Sequence, residues 1–388
     1  MNNEPLFSIV VPTKNRAELL PTLIESVLNQ EYDKFELIIA DNDDCNRSDT
    51  QKIVSRYSDS RIKYYRTGNL SMAENWNYGY SKISGDYILL MRDKYVIKPH
   101  SLIILNHYIQ KYKAEVISWK WNNVLLDDDD WKLITGSFSI IPYTADDFLS
   151  WFFEMGNKYH QFLFTLPIGA NTCLSHELYE KIILKTGQMS FENAPDYTLG
   201  YQIIFNCKEI YHLDLTLYGA FEQRLKYSTG NLHDSGQLDK AMDAMNSKST
   251  NLISVNNQPL KLANTESIII EDFLRVSDRY KLPYTFHNFN LGGYFSMIYS
   301  QTVQRYATAI ALYGMPNHKY FSKIRKYIKS TVKESDLSEP EKKDVSVRIS
   351  HADRQLILKI ILIKGYVFYQ FLHRFIILKI LKTKSKYF

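Results

Sequence analysis

Apolar residues in the first hundred positions follow two alternating spacings. Short runs of consecutive apolar and β-branched residues predict strands, and the segments between them repeat apolar residues every three or four positions, as helices do. The predicted strands are residues 6–11, 35–40, 62–65 and 87–91, and the predicted helices span 15–28, 48–57 and 71–83. Strands that alternate with helices at such short intervals predict an α/β fold with a doubly wound, mostly parallel sheet.

Two of these helices begin with the same polar signal. Asn15 is followed three positions later by Glu18, and Ser71 is followed by Glu74. This is the capping-box pattern, in which each side chain binds a free backbone N–H of the other residue. We therefore expect helices to start at Asn15 and Ser71.

Polar residues stand where the predicted strands end. Pro12 and Thr13 end the first strand, Asp41 ends the second and Asp93 follows the fourth. Ligands of doubly wound sheets bind beyond the carboxyl ends of the strands, where turns and helix N-termini expose N–H groups to anions. These residues are therefore predicted to line one ligand pocket.

The remaining chain is less regular, and its C-terminal part is predicted to be mainly helical. A helix near 100–112 precedes predicted strands over 115–123 and 132–140. The four aspartates at 127–130 between those strands fit either a solvated hairpin turn or a metal site. The predicted domains are residues 1–235, a polar linker over 236–264, a helical region over 265–348 and a tail over 349–388.

The tail differs from the rest of the chain in charge. The formal net charge is +5, and residues 354–388 hold eight Lys or Arg and no acid, which leaves about −3 for everything before them. The longest stretch without Lys, Arg or His is Gly365–Leu372, whereas a bilayer span takes about 20 apolar residues. Basic residues interleaved with aromatic ones predict a helix on an anionic membrane surface, or one packed on the protein body. Nucleic acid is not an expected partner, because a protein that binds it usually carries its basic patch on the folded body and not in a tail.

Cysteine usage and the N-terminus bear on the compartment. Cys45, Cys173 and Cys207 are odd in number and lack the spacing of zinc ligands, which indicates a reducing compartment. The first residues form neither a basic nor an apolar leader, so we expect no secretory signal. These features predict a cytoplasmic location.

Several segments of the first hundred residues resemble glycosyltransferase family 2. The resemblance spans about residues 6–105 in a specific order, and a weaker match follows at Pro195–Tyr197 and Tyr218–Gly219. It implies the GT-A fold, a nucleotide-sugar donor and transfer of the sugar to an acceptor. The matching segments are Phe7–Arg16 (FSIVVPTKNR), Ser26–Gln30 (SVLNQ), Glu36–Asn42 (ELIIADN), Asn69–Gly79 (NLSMAENWNYG), Gly85–Ile88 (GDYI) and Pro99.

The resemblance implies roles for the polar residues at the strand ends. Asp41 would accept a hydrogen bond from the base of the donor, although it also fits an Asx turn. Asn15 would line the same pocket, or only cap its helix. The amides of Asn69, Asn75 and Asn77 would also contact the nucleotide, although each also fits a structural role. The full set of implied nucleotide-sugar contacts is Pro12, Thr13, Asn15, Asp41, Asn69, Asn75, Asn77 and Asp93.

Asp93 and Lys94 fall on the pair of acids that hold a divalent metal in that family. A lone carboxylate holds Mg²⁺ or Mn²⁺ poorly, because these ions prefer several hard oxygen ligands. No cofactor is therefore certain, and Mg²⁺ or Mn²⁺ would depend on Asp93. Our hypothesis is that the Lys94 ammonium neutralises the departing diphosphate, so that transfer depends weakly on metal or not at all.

Transfer with inversion also needs a base that takes the acceptor proton. The resemblance places this role on Asp196, about a hundred residues beyond the metal motif, with Glu192 as the fallback. Asp196 also fits a helix cap, because it follows Pro195.

The sequence thus predicts an inverting glycosyltransferase. It would move a sugar from a nucleotide-sugar, with a UDP-sugar favoured, to a polysaccharide or lipid-linked glycan at the inner face of the cell membrane. The alternative is a non-catalytic protein that binds a nucleotide-sugar and assists a partner enzyme, because a fold alone does not establish chemistry.

Overall fold

The structure is a computed structural model, and it describes most of the N-terminal part of the chain. The described residues are 4–120, 134–155, 157–191, 193–220, 254–255, 258–259, 265–285, 288–297 and 337–356, with isolated positions between 299 and 333 and at 362 and 365.

The described elements alternate between strands and helices. The strands are β1 Phe7–Thr13, β2 Phe35–Asp41, β3 Ile62–Arg66, β4 Tyr87–Leu90, β5 Tyr95–Ile97, β6 Val116–Trp119, β7 Gly136–Thr144, β8 Thr172–Ser175, β9 Glu209–Leu215, β10 Tyr218–Ala220, β11 Ser254–Val255 and β12 Gln258–Pro259. The helices are α1 Leu20–Leu28, α2 Asp49–Val54, α3 Met72–Tyr80, α4 Ser101–Tyr112, α5 Ala145–Glu154, α6 Asn157–Thr165, α7 His176–Thr186, α8 Pro195–Asn206 and α9 Thr265–Arg279, with 3₁₀ turns at Ala17–Leu19 and Gly169–Asn171.

An eight-stranded mixed sheet lies at the centre, in the order β3-β2-β1-β4-β8-β6-β9-β7. The first four strands in this order are parallel, as are β6 and β9, whereas β8 and the edge strand β7 are antiparallel to their neighbours. Every residue of β1 and β2 is buried, as expected for parallel strands covered by helices on both faces. The predicted α/β fold with a mostly parallel sheet is confirmed.

The two predicted capping boxes have different outcomes. At the start of α3, Ser71 Oγ accepts the Glu74 N–H at 3.2 Å and Glu74 Oε2 accepts the Ser71 N–H at 2.7 Å, which confirms the prediction. The box at Asn15 is wrong, because the Asn15 amide bonds to Asp44 instead, and α1 begins only at Leu20. Asn15 has a φ of 55°, so its backbone belongs to a loop.

Gly85 allows β4 to enter the sheet beside β1. A Cβ at this position would lie 2.5 Å from the Leu6 carbonyl oxygen and 2.8 Å from the Ser8 nitrogen, both in the backbone. Only glycine allows so close an approach of two main chains.

Of the two alternatives for the segment between 115–123 and 132–140, the hairpin is wrong. The strands found there, β6 and β7, do not pair, because β9 lies between them and bonds to both. Residues 127–130 lie outside the described residues. The apolar pattern marks strands but not their partners, and β9 comes from about 90 residues further along the chain.

The described residues form two compact units. One contains those of 1–229 and 239–288, including the sheet and α1–α9, and the other contains those of 289–388, in which 291–297 and 339–356 are helical. The four domains expected from sequence stay a prediction, and most of the basic tail lies outside the described residues. Within the described part of the chain, every helix is too short or too polar to cross a bilayer.

Candidate active site

The carboxyl ends of β1 and β4 meet at Asp93. Thr13 Oγ1 donates a hydrogen bond to Asp93 Oδ2 at 3.1 Å, and Arg16 Nη1 lies 3.2 Å from Oδ1. The Asp93 side chain is 4% exposed. Thr13 is also in register with Asp41 across β1 and β2. The three strand ends singled out from the sequence therefore converge, as expected.

Lys94, the residue after Asp93, is buried beside two guanidinium groups. It is 5% exposed, and its ammonium lies 5.6 Å from the centre of the Tyr95 ring. Burial lowers the pKa of Lys94 to about 7, helped by Arg92 and Arg16 and opposed by Asp93 and Asp196. An amine in this state gains a proton readily when an anion arrives.

Asp196 lies in the first turn of α8 and forms an ion pair with Arg92. The distance from Arg92 Nη2 to Asp196 Oδ2 is 2.5 Å, and the two side chains are only 18% and 19% exposed. Arg92 follows β4 by two residues, so this pair connects the start of α8 to the carboxyl end of the sheet. The candidate base therefore lies beside the candidate diphosphate site.

These five charged side chains form one group, which we call the strand-end cluster: Arg16, Arg92, Asp93, Lys94 and Asp196. It carries three cationic groups and two carboxylates, a net charge of +1 when Lys94 is protonated. Partial burial strengthens its field relative to the same charges in water. The cluster is suited to an anion such as a diphosphate.

The residues of the cluster do not fit a divalent metal. Asp93 supplies only one carboxylate, which is bonded to Thr13 and Arg16, and its neighbour is a buried cation. No group of three or more His, Cys, Asp or Glu with metal-ligand geometry occurs among the described residues. Mg²⁺ and Mn²⁺ need several oxygen ligands, which this donor set lacks.

Asp41 is fully buried and already holds three donors. Tyr64 Oη donates at 2.6 Å and Arg66 Nη1 at 2.8 Å to Oδ2, and the Asp43 N–H donates at 2.9 Å to Oδ1. A carboxylate has about four acceptor positions, so one on Oδ1 is left for a base N–H. Its predicted contact with the base stays a prediction.

Of the other predicted contacts, Pro12 and Asn75 lie at the same strand ends, whereas Asn77 lines a separate cleft between α3, α8 and α9. Pro12 is buried in β1, and Asn69 is exposed in a left-handed turn with a φ of 58°. Asn75 donates to the Ala40 carbonyl at 3.1 Å. Asn77 accepts the Met189 and Ser190 N–H groups at 2.9 and 3.1 Å and donates to the Ser190 carbonyl at 2.8 Å. Their contacts with a nucleotide stay predictions.

A cleft of about 290 Å³ lies outside this cluster, between α3, α8 and α9. It contains none of Thr13, Asp41, Asp93 and Lys94. Its polar lining includes Glu74, Gln188, Ser190, Arg275 and Arg279. Two further lining residues, Asp272 and Thr198, form hydrogen bonds with residues at the start of α8.

Sequence reasoning missed Arg16 and Arg92. Both stand inside segments that were recognised, but neither was given a role. A signal was present: Met91-Arg92-Asp93-Lys94 puts three consecutive charges at the end of an apolar strand, where burial demands partners. Glu192, the fallback base, lies outside the described residues.

Comparison with known proteins bears on this site. Residues 8–182 match the model of the family described as "Glycosyl transferase family 2". The chain is 34% identical over 93 residues to the GalNAc(5)-diNAcBac-PP-undecaprenol beta-1,3-glucosyltransferase of Campylobacter jejuni, a match over 23% of this chain and 29% of that protein. It is 23% identical over 213 residues to the glycosyltransferase GlyG of Streptococcus pneumoniae, which covers 53% of this chain and 69% of GlyG.

Among solved structures, the chain is similar to Staphylococcus aureus TarS 1-349 in complex with UDP-GlcNAc. That match has 13% identity and a TM-score of 0.45, and it covers 94% of this chain and 92% of the other.

The Campylobacter match spans less than a third of that relative's length. The family match contains all but the first residue of β1 and the whole of β2 to β4, with Thr13, Asp41, Asp93 and Lys94. Residues 8–182 are thus similar to glycosyltransferase family 2, and the match leaves the rest of the chain uncovered.

Proposed function

We propose that this protein transfers a sugar, with inversion and without a divalent metal, from a nucleotide-sugar to a glycan acceptor. The observation that carries the proposal is the strand-end cluster, in which the Arg92 guanidinium forms an ion pair with Asp196, and both groups lie close enough to Lys94 to shift its pKa. The nucleotide is proposed to be uridine diphosphate, with Asp41 at its base.

The reaction would be a single displacement. The acceptor oxygen attacks the anomeric carbon and forms a new C–O bond, while the bond from that carbon to the diphosphate oxygen breaks. The acceptor proton passes to Asp196, and the electron pair leaves with the diphosphate. Attack opposite the leaving group inverts the anomeric centre. Lys94 would stabilise the negative charge that develops on the diphosphate, a role given to preorganised cations in such sites.

The proposed acceptor is a polysaccharide or lipid-linked glycan. Support comes from the Campylobacter relative, whose name specifies an undecaprenol-linked acceptor. The basic tail adds support, because eight Lys or Arg without an acid would attract anionic lipids. We therefore propose a cytoplasmic protein at the inner face of the membrane. Sedimentation with vesicles of phosphatidylglycerol and phosphatidylcholine tests this, and binding that persists after removal of residues 354–388 would contradict it.

The enzyme is tested by thermal-shift screening followed by a turnover assay. UDP-, GDP-, CMP- and dTDP-sugars are added with and without Mn²⁺, since a ligand of the folded state raises the melting temperature. Release of the nucleoside diphosphate is then followed by chromatography. We expect a UDP-sugar to raise the melting temperature equally with and without Mn²⁺ and to turn over. Binding without turnover of any donor, with or without metal, would instead favour the non-catalytic binding protein.

A further inference from the structure

The start of α8 has no side-chain cap of its own. Ala194 is its N-cap residue, Pro195 opens the helix, and Asp196 follows. Asn193, just before, has a φ of 81°, in the left-handed region where a non-glycine residue must be held by its surroundings. The direction in which α8 leaves this loop determines where the Asp196 carboxylate lies.

Asp272 of α9 holds this loop from outside. Its Oδ2 accepts the Ala194 N–H at 2.9 Å, and its Oδ1 accepts Asn193 Nδ2 at 3.1 Å. Asp272 is 1% exposed, so both bonds are shielded from water. A carboxyl group beside the first turn also faces the positive end of the α8 dipole. One side chain thus binds two consecutive residues immediately before the helix that carries Asp196.

Other contacts to α8 come from α9 and from Tyr280, the residue that follows it. Tyr201 Oη donates to the Ile269 carbonyl at 2.9 Å in the middle of α8. Near its end, Asn206 Nδ2 donates to Tyr280 Oη at 2.7 Å, and Tyr280 Oη lies 3.1 Å from Gln202 Oε1. Only the Asp272 contact lies next to Asp196. The Tyr280 contact therefore provides a matched control in the same helix pair.

We infer that Asp272 is a positioning residue, which sets the first turn of α8 so that Asp196 meets Arg92 and the acceptor. This inference rests on the proposed function, in which Asp196 takes the acceptor proton. It extends the site to α9, about 80 residues beyond the end of the family match. Asp272 does not touch the reacting atoms and acts only through Ala194 and Asn193.

The protonation of Asp272 suggests a substitution that should preserve the contact. Burial raises the pKa of Asp272 to about 8, and the charge of Glu271 acts in the same direction. The hydrogen bonds from Asn193 and Ala194 and the charge of Arg275 act to lower it. The raised pKa makes the neutral form more accessible than in an ordinary carboxyl group, and asparagine imitates the shape and the carbonyl oxygen of that form. Asn193 Oδ1 has no partner among the described residues, so a flipped Asn193 amide could accept from the new NH₂ while Ala194 keeps its acceptor.

The experiment compares Asp272→Ala, Asp272→Asn and Tyr280→Phe in the full chain. Hydrogen exchange is measured at the Ala194 and Thr198 N–H groups, which bond to Asp272 and to the Ala194 carbonyl, together with kcat, KM and the Kd for UDP. In Asp272→Ala we expect exchange of the first turn to become about tenfold faster, with a similar loss of kcat and an unchanged Kd for UDP. Asp272→Asn should restore both. Tyr280→Phe should loosen only the last turn of α8 and leave kcat as it is.

The inference fails if Asp272→Ala leaves first-turn exchange unchanged, or if Asp272→Asn behaves like Asp272→Ala. It also fails if Tyr280→Phe lowers kcat as much, since general loosening of α8 would then explain the loss. If the wild-type protein turns over no donor, the proposed function fails, and hydrogen exchange alone decides whether Asp272 sets the first turn.

Discussion

Arg92 and Asp196 are 104 positions apart in the chain, and their side chains form an ion pair of 2.5 Å. Arg92 comes from the end of the parallel half of the sheet and Asp196 from a helix outside the family match. This contact brings the proposed base into the strand-end cluster.

Nucleotide binding should depend on pH through Lys94. Because the pKa of Lys94 is lowered to about 7, its ammonium is largely lost as the pH rises from 6 to 8.5. We expect the Kd for UDP to rise over this range, by about tenfold if the charge contributes about 1.4 kcal/mol. Isothermal titration calorimetry at several pH values measures this.

Two substitutions isolate the Lys94 charge. Lys94→Met should bind UDP weakly and almost independently of pH, and Lys94→Arg should bind it independently of pH, because arginine stays charged. Lys208→Met, at an exposed lysine, is the matched control and should keep the wild-type profile. The same pH dependence in Lys94→Met as in the wild type would remove Lys94 from the diphosphate site.

Chelation of divalent metals should leave turnover unchanged. Both Asp93 oxygens are bonded within the protein, and Lys94 stands where a second acid would be needed. We expect the same rate in EDTA, Mg²⁺ and Mn²⁺ when release of the nucleoside diphosphate is measured. A rate that collapses in EDTA and returns with Mn²⁺ would contradict this. Lys94→Asp offers the converse experiment and should make UDP binding respond to Mn²⁺.

Asp196→Asn should abolish transfer and spare donor binding. The amide cannot take the acceptor proton, and general-base catalysis typically contributes about 10²–10⁴-fold to the rate. The Kd for UDP and the melting temperature provide the binding and folding controls. Asp146→Asn, at an exposed acid in the first turn of α5, should leave the rate unchanged. Transfer that survives in Asp196→Asn would exclude Asp196 as the base.

Glu36 should make the sheet sensitive to acid. Its buried carboxylate accepts Ser8 Oγ at 2.5 Å and the Ser84 N–H at 2.7 Å, and it pairs with Lys63. Burial acts to raise the pKa of Glu36, but the hydrogen bonds from Lys63, Ser8 and Ser84 outweigh it and hold the pKa below its ordinary value. The stabilisation is therefore present above about pH 4.5 and is lost as the pH falls through the lower, folded-state pKa.

Glu36→Gln tests this contribution by urea denaturation. At neutral pH we expect the free energy of unfolding to fall by about 1–3 kcal/mol. Below about pH 4 the difference from the wild type should shrink, since the native carboxylate is then being protonated as well. Glu177→Gln, at an exposed glutamate, should change little at either pH. A difference that stays constant from pH 7 to pH 3 would contradict the role of the charge.

Local pattern was sufficient to predict the parallel half of the sheet. Each strand from β1 to β4 is an apolar run, and Asp41 and Asp93 were correctly assigned to the end of the sheet where Thr13 lies. The Ser71 cap was predictable for the same reason, because both partners lie within one helical turn. The Asn15 cap was not, since its side-chain partner, Asp44, is distant in sequence.

Long-range partners set the limit of sequence reasoning. The pairing of Arg92 with Asp196 and the burial of Lys94 depend on how α8 packs, and no spacing in the chain encodes that packing. The insertion of β9 between β6 and β7 is a similar case. Asp272 also escaped notice, because an acid in an amphipathic helix looks like a solvent-facing residue until the neighbouring loop is known.

The position of α9 has a practical consequence for anyone who shortens the gene. A fragment that stops at residue 220 keeps every strand of the main sheet but loses Phe273, which packs against Phe152, Tyr201 and Phe205 with ring centres 5.1, 5.2 and 5.6 Å apart. Those three aromatic rings would become more exposed to solvent, and the loop before α8 would lose its hydrogen bonds to Asp272. Such a fragment would therefore be poorly soluble as well as inactive. The shortest version worth expressing runs through residue 288, where the first compact unit ends.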